Sequence, residues 1–170
     1  MSAKPASLAG AAPQPDEAAA PASDAGPLLL HATGVAFGPD NGLALIGPAG
    51  AGKSSLALAL IDAGAQLVGD DRLHVFARGD TLFARPPRGI AGLVEQRGLG
   101  VLRLGFLRLT RLRLIIDMGE PESRRLPDPE ERSLCGIKLP CLRAPVTGSA
   151  ALATFPFAVR QYMCGSVMAG

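Results

Sequence analysis

The sequence predicts an α/β fold in which a mixed β-sheet surrounds a single helix at a phosphate-binding loop. Three observations lead to this prediction. Apolar runs of strand length alternate with turn residues along most of the 170-residue chain. The run at 43–46 leads directly into a glycine-rich loop, and helix-forming residues follow from 53 to 63. Other runs are joined by short turns into predicted hairpins, so parallel and antiparallel strands are both expected.

The chain has the length of one domain. Residues 1–26 consist largely of Ala, Pro, Gly, Ser and Asp and show no apolar periodicity. Such a segment cannot offset its ordering entropy by burial, so we interpret it as a disordered tail. The ordered domain is expected to span residues 27–170.

Local signals place the strands before the loop. Residues 28–37 predict a first strand with a bulge at Gly34. The turn residues at 38–42 predict a hairpin that connects this strand to the apolar strand at 43–46.

The helix after the loop is expected to end before Gly64, where a left-handed cap is favourable. The remaining predicted elements are a short buried strand at 65–68, a hairpin at 74–78 and 81–85, a strand at 111–117 and a loop at 119–133. Beyond residue 145 the pattern is weak, because Pro156 is expected to interrupt any helix at 150–163.

The charge balance argues against a nucleic-acid partner. The chain has 17 basic and 15 acidic residues, a net charge of +2. It contains no Trp and one Tyr, so it offers few platforms on which bases could stack. Basic residues between 103 and 113 alternate with Leu, and we interpret them as solvated arginines on half-exposed strands rather than as a site for an acidic partner.

No segment predicts membrane attachment or export. The chain lacks an apolar stretch of about 18 residues, and its N-terminus lacks the apolar core of a secretory signal. Cys135, Cys141 and Cys164 have neither the spacing of a metal site nor the number for a complete disulfide framework. We therefore expect reduced thiols in a cytoplasmic protein.

The segment Gly47-Pro-Ala-Gly-Ala-Gly-Lys-Ser54 completes the P-loop pattern G-x-x-x-x-G-K-[ST] between a strand and a helix. Backbone N–H groups of such a loop surround a polyphosphate, and the helix N-terminus adds positive potential. Lys53 reaches the β- and γ-phosphates, and the Ser54 hydroxyl can bind Mg²⁺. The predicted nucleotide-binding residues are Gly47, Pro48, Ala49, Gly50, Ala51, Gly52, Lys53, Ser54 and Ser55.

Phosphoryl transfer also needs a second Mg²⁺ ligand and a group that accepts the proton of the nucleophile. The candidate carboxylates are Asp70, Asp71, Glu95 and Asp117. Asp70 and Asp71 follow an apolar strand, and as neighbours they are not expected to share one role. Asp117 also ends an apolar run, as the metal-binding aspartate of many P-loop ATPases does. His31 is either a catalytic or phosphate-contacting group or a structural strand residue.

Three ordered motifs resemble the catalytic domain of HPr kinase/phosphorylase. They are the P-loop, Leu67-Val-Gly-Asp-Asp-Arg-Leu73 and Gly92-Leu-Val-Glu-Gln-Arg-Gly-Leu-Gly-Val101. The family patterns L-[VI]-[AS]-D-D-R-[VL] and L-[LV]-E-[IV]-R-G-[LI]-G-[IV] follow the P-loop in this order and at this spacing. The match runs over residues 30–142, and we expect the short alphaproteobacterial form, which has no separate N-terminal domain.

The resemblance implies a role for each matched residue. Lys53 and the loop amides would bind ATP, while Ser54 and Glu95 would bind Mg²⁺. Asp71 matches the family's proton acceptor, which takes the hydroxyl proton of the target serine. Arg97 lies within the family signature, where it would stabilise charge on the moving phosphoryl group.

The resemblance also bears on His31 and Asp117. His31 matches the family's active-site histidine if the turn at 38–42 contains one additional residue, and Asp117 then becomes a structural strand residue. The implied protein is an ATP- and Mg²⁺-dependent serine kinase whose substrate is HPr or a related phosphocarrier. A homo-hexamer that regulates phosphotransferase-linked carbon and nitrogen metabolism is implied as well.

The sequence departs from the family at several positions. Ser55 stands where an acidic residue is usual, and Gln96 stands where Ile or Val is expected. The family's arginine before the last strands corresponds to Arg124 or Arg125. The loop associated with dephosphorylation has no clear counterpart at 145–148, so phosphorolytic activity is less secure than kinase activity.

Two alternatives stay open at this point. A small-molecule kinase or a generic P-loop ATPase would use Asp117 as its metal ligand. A non-catalytic ATP-binding regulatory module would bind nucleotide without transferring phosphate. The departures from the family pattern at positions 55 and 96 are compatible with this alternative.

Overall fold

The computed structural model describes residues 27–122, 124, 130–146 and 148–165. The predicted tail at 1–26 lies outside the described residues. The first half of the chain forms β1 (Leu28–Leu30), β2 (Thr33–Ala36), β3 (Gly42–Ile46), α1 (Lys53–Asp62), β4 (Gln66–Gly69), β5 (Leu73–Arg78) and β6 (Thr81–Arg85). A short 3₁₀ turn then leads to β7 (Leu93–Gln96), β8 (Gly100–Arg103), β9 (Thr110–Glu122), β10 (Glu130–Leu134), β11 (Ile137–Pro145) and α2 (Ala150–Met163).

Nine of the described strands form one mixed sheet, which confirms the predicted α/β class. Its order is β1-β5-β6-β9-β3-β2-β4, and β11 joins β9 and carries β10. β3 and β11 pair parallel to β9, whereas β2 pairs antiparallel to both β3 and β4. β3 and β4 therefore end at the same edge of the sheet, where β2 begins; we call it the carboxyl edge. The hairpin of β7 and β8 forms a separate two-stranded sheet.

The strands around the P-loop are buried on both faces, which explains their uninterrupted apolar sequences. Along β3, Leu43 and Leu45 pack in one core cluster, whereas Ala44 and Ile46 pack in the other. The helix α1 covers the first cluster, and its end is followed by Gly64 with φ of 103°. The hairpin of β5 and β6 closes the second cluster. The predicted helix, the strand at 65–68 and the second hairpin are all present to within two residues.

The predicted strand at 28–37 is divided in two by His31 and Ala32. The two halves have different neighbours, because β1 pairs with β5 while β2 pairs with β3 and β4. The expected bulge is present, since the register between β2 and β4 shifts after Gly34. The division matters for the site, because it turns His31 out of the sheet at the carboxyl edge.

The predicted loop at 119–133 is partly wrong. β9 continues to Glu122 and β10 begins at Glu130. β9 is extended by its parallel pairing with β11, a long-range interaction that local composition does not reveal. The hairpin of β7 and β8 likewise has no counterpart among the elements predicted from the sequence.

The expectation that Pro156 would interrupt a helix is also wrong. α2 spans Ala150–Met163 with Pro156 inside it, and Ser149 caps its N-terminus by accepting a hydrogen bond from the Leu152 N–H at 3.2 Å. A proline inside a helix costs about 3 kcal/mol or more. Packing of Val159 and Met163 into the core with α1 offsets that cost.

Arg111 and Arg113 are exposed on β9 and alternate with buried Leu112 and Leu114, which confirms the half-exposed strand with solvated arginines. The three cysteines are free thiols, and burial raises the pKa of Cys141. Among the helices of the described residues, neither is both long enough and apolar enough to cross a bilayer.

Candidate active site

The P-loop joins β3 to α1 at the carboxyl edge and depends on its glycines. Gly47 and Gly50 have φ of 141° and 83°, values that side chains disfavour. A Cβ at Gly50 would lie 3.3 Å from the Arg97 guanidinium, so a side chain at this position would also crowd Arg97. The loop thus directs backbone N–H groups and the N-terminus of α1 at one space, an arrangement suited to phosphate.

That space is a cavity of about 310 Å³, which we call the P-loop cavity. All the residues predicted to be catalytic or to bind metal line it, namely His31, Lys53, Ser54, Asp71, Glu95 and Arg97. They come from the break between β1 and β2, the start of α1, the end of β4 and the hairpin of β7 and β8. Of the predicted nucleotide-binding residues, Ala49, Gly50, Gly52 and Ser55 line it as well.

Lys53 is buried, and its ammonium group is held at the start of the P-loop. Its Nζ donates to the carbonyl oxygens of Gly47 and Pro48, both at 2.9 Å. It also lies 3.3 Å from Nε2 of His31. An ammonium group can only donate, so Nε2 accepts and a neutral His31 carries its proton on Nδ1.

That Nδ1 faces Asp71. The distance from Nδ1 to Oδ1 of Asp71 is 3.2 Å, and Arg72 Nε lies 3.5 Å from Oδ2. Asp71 has φ of 64°, a left-handed conformation that Asp tolerates better than most residues. Its side chain is 61% exposed. Lys53, His31 and Asp71 therefore form a continuous polar chain from the P-loop to an accessible carboxylate.

Asp70 has different surroundings, since it is buried and both of its carboxylate oxygens accept hydrogen bonds. It accepts hydrogen bonds from Thr33 Oγ1 at 2.7 Å, from Ser54 Oγ at 3.0 and 3.1 Å, and from the Glu95 N–H at 3.3 Å. This one carboxylate joins β2, α1, β4 and β7. Asp70 and Asp71 both line the cavity. Neighbouring residues within a strand would point to opposite faces, but these two lie beyond the end of β4, where the chain turns.

Thr33 is the residue that sequence reasoning missed. It is completely buried at the start of β2, where its hydroxyl reaches Asp70. The only signal for it in the sequence is a polar residue within a buried apolar strand, two positions after His31. Buried hydroxyl groups need a partner, and here the partner is the carboxylate that also accepts from Ser54.

The oxygen atoms around Asp70 suit a hard cation. The Ser54 hydroxyl and the Glu95 backbone N–H both donate hydrogen bonds to Asp70, and both residues line the cavity. Because Ser54 Oγ donates its proton to Asp70, its lone pairs stay available to a cation. Within the described part of the chain, no cluster of three or more His, Cys, Asp or Glu could hold a metal alone. Mg²⁺ fits such a set, since it takes few protein ligands and completes its shell with phosphate and water.

Asp117 lies elsewhere, in a second cavity on the other side of the P-loop start. Its Oδ2 lies 2.7 Å from Arg132 Nη2, and its Oδ1 accepts from the Gly119 N–H at 2.8 Å. Arg143 lines the same cavity, and its hydrogen bond to Glu130 raises its pKa. Both carboxylate oxygens of Asp117 are thus engaged.

Of the two arginines matched to the family's arginine before the last strands, Arg124 pairs with Glu122 at 3.4 Å and Arg125 lies outside the described residues. The segment at 145–148 includes residue 147, which is also outside them.

Comparisons of sequence and structure match this chain to proteins of one family. The family model described as the HPr serine kinase C-terminal domain matches residues 31–164. HPr kinase/phosphorylase of Streptococcus equinus is 35% identical over 62% of this chain and 38% of that protein. The protein of the same name from Azoarcus sp. (strain BH72) is 33% identical over 66% of this chain and 40% of that protein.

Among solved structures, the Hpr(Ser) kinase/phosphatase from Coxiella burnetii matches with a TM-score of 0.69 and 25% identity. The match covers 82% of this chain and 92% of that one. By contrast, this chain spans about two fifths of the length of the two curated relatives.

Proposed function

This chain belongs to the HPr serine kinase C-terminal domain family, and we propose that it is an ATP-dependent protein serine kinase acting on an HPr-like phosphocarrier. One observation carries the proposal: in the P-loop cavity, His31 contacts both the P-loop lysine, Lys53, and the accessible carboxylate of Asp71. Residues 27–170 form the kinase domain. The homo-hexamer, the cytoplasmic location and the regulation of phosphotransferase-linked metabolism are further proposals that the resemblance implies.

The P-loop amides and Lys53 bind the triphosphate of ATP. The Lys53 ammonium group is held at the start of the loop by two carbonyl groups and His31 Nε2, which together take its three N–H donors. It therefore releases at least one of these partners when it donates to a terminal phosphate. Ser54 and Glu95 would hold Mg²⁺, which would neutralise charge on the phosphate oxygens. Asp70 accepts from the Ser54 hydroxyl and from the Glu95 backbone N–H, and so helps to place both residues.

Asp71 accepts the proton from the target serine. In the step itself, the seryl oxygen forms a bond to the γ-phosphorus, the bond to the ADP oxygen breaks, and the hydroxyl proton moves to the Asp71 carboxylate. The Nδ1–H of His31 donates to Asp71 and fixes its orientation. Arg97, at the tip of the hairpin beside Gly50, stabilises the charge of the moving group. The reverse reaction with phosphate would return the proton from Asp71.

The geometry does not favour the alternative that uses Asp117 as the metal ligand. Both oxygens of that carboxylate are engaged by Arg132 and the Gly119 N–H. Asp117 also lines the second cavity rather than the P-loop cavity that holds Ser54.

The proposed function is tested by incubating the chain with γ-labelled ATP, Mg²⁺ and purified HPr, and then mapping the label. We expect transfer to one seryl residue of HPr. Label released only as inorganic phosphate would indicate an ATPase, and nucleotide binding without any turnover would indicate a regulatory module.

Thr33→Val is expected to raise the Mg²⁺ concentration that half-maximal kinase activity requires. Valine has nearly the same shape but cannot donate to Asp70, so the carboxylate loses its shortest hydrogen bond. Loss of a contact that holds a metal ligand directly costs roughly 10–100-fold in metal affinity, and Thr33 acts one contact further out through Asp70, so the lower end of this range, about tenfold, is expected. A Mg²⁺ titration of kinase activity would show this shift, whereas the control Thr33→Ser keeps the hydroxyl and should retain the wild-type midpoint. Equal midpoints for all three proteins would contradict the role given to Thr33.

A further inference from the structure

The hairpin of β7 and β8 leaves large apolar side chains open to solvent beside the P-loop cavity. Leu99 is 72% exposed and Val101 is 67% exposed, the highest values for large apolar side chains in the described part of the chain. Single exposed apolar residues are common, but a pair at the rim of a site indicates a contact surface.

The hairpin is fixed against the site rather than free to move away. At its base, the Leu104 N–H donates to the Gly92 carbonyl at 2.8 Å. In β7, the Glu95 N–H donates to buried Asp70. At the tip, Arg97 Nη2 lies over Gly50 of the P-loop, 3.3 Å from where a Cβ would stand. The exposed apolar side chains therefore have a defined position relative to the phosphate site.

Register places these side chains at the mouth of the cavity. Val101 pairs directly with Glu95, so the two side chains project from the same face of the hairpin. Glu95 lines the cavity, and Val101 is its neighbour. Leu99 lies at the tip, two residues after Arg97, which also lines the cavity. Leu99 and Val101 therefore stand next to the hairpin residues that line the cavity, Glu95 and Arg97.

We infer that Leu99 and Val101 form the docking surface for apolar residues that flank the target serine of the phosphocarrier. The inference rests on the proposed function, because a seryl hydroxyl that enters the cavity brings the neighbouring residues of its protein onto the rim. The charged rim residues Glu95 and Arg97 belong to the site itself. Beyond them on the hairpin, the most exposed large apolar side chains are Leu99 and Val101, so the part of the partner that meets this stretch is expected to be apolar.

The double variant Leu99→Ser with Val101→Thr tests this surface. We expect KM for HPr to rise about tenfold or more, since two apolar contacts are lost from the interface. Values of kcat and the Kd for ADP should stay within about twofold, because neither side chain touches nucleotide. In methyl NMR spectra of the wild-type protein, Leu99 and Val101 should shift when HPr is added.

Leu109→Ser is the matched control. Leu109 is 46% exposed, but the next residue, Thr110, bonds to the Pro39 carbonyl at 2.9 Å at the edge of the sheet opposite the cavity. This variant should keep the wild-type KM. Because the substituted residues are exposed, unfolding temperatures should match that of the wild type, and a matched temperature excludes misfolding as the cause of a raised KM.

The outcomes separate the inference from the function on which it rests. If the wild type does not phosphorylate HPr, the proposed function fails. If it does, and the double variant keeps its KM for HPr, the docking surface is wrong. A change in sedimentation coefficient with an unchanged KM would assign the hairpin edge to contact between copies of this chain, which also overturns the inference.

Discussion

Replacing Asp71 with Asn is expected to lower kcat for phosphoryl transfer to HPr by roughly 10²–10⁴-fold, the usual contribution of a positioned general base. The amide has the size of the carboxylate and can still meet His31, but it cannot accept the seryl proton. Nucleotide affinity should change little, because Asp71 lies at the accessible end of the chain of polar groups that begins at Lys53. Single-turnover rates and the Kd for ADP measure the two effects separately.

Asp117→Asn is the matched control for that experiment. Asp117 follows an apolar run in the same way, but it is engaged with Arg132 and lies in the second cavity. Its substitution should leave kcat within a fewfold of the wild type. Loss of turnover in Asp117→Asn, together with normal turnover in Asp71→Asn, would reverse the assignment and favour the ATPase alternative.

Lys53→Met is expected to reduce kcat by about 10³-fold or more, within the range seen when a charged group that contacts the transferred phosphoryl is removed. Methionine retains most of the buried stem, but the carbonyl oxygens of Gly47 and Pro48 lose their donor. Binding of ATP should weaken as well, so both kcat and the ATP concentration for half-maximal rate are measured.

Lys138→Met shows whether the effect is specific to this lysine. Lys138 is highly exposed on β11, where it pairs with Glu131 at 3.5 Å. An exposed ion pair of this kind contributes about 0–1 kcal/mol. Activity of Lys138→Met should equal that of the wild type, and a residual rate above one tenth of wild type in Lys53→Met would contradict the role of Lys53.

Local signals were sufficient for the elements that surround the P-loop. The glycine pattern, the turn before β3 and the cap at Gly64 act within a few residues, so their structural consequences are visible in the sequence. The end of β9 and the start of β10 were missed because they depend on pairing with β11. α2 was missed because tertiary packing of Val159 and Met163 outweighs the local effect of Pro156.

The site could be predicted only in part. The family motifs identified Asp71, Glu95 and Arg97, and the structure places all three in the P-loop cavity. The hydrogen bonds of Asp70 could not be predicted, since they join residues from four elements that are distant in sequence. The link from Lys53 through His31 to Asp71 likewise depends on the break between β1 and β2, which appeared in the sequence as one strand.

The proposed mechanism requires Asp71 to face the terminal phosphate held by the P-loop. A crystal structure with Mg²⁺ and a non-hydrolysable ATP analogue measures this directly. We expect the γ-phosphate in the P-loop cavity beside Lys53, with space for a seryl oxygen about 3 Å from the Asp71 carboxylate. A γ-phosphate in the second cavity beside Asp117, or an Asp71 side chain turned away from the phosphate, would contradict it.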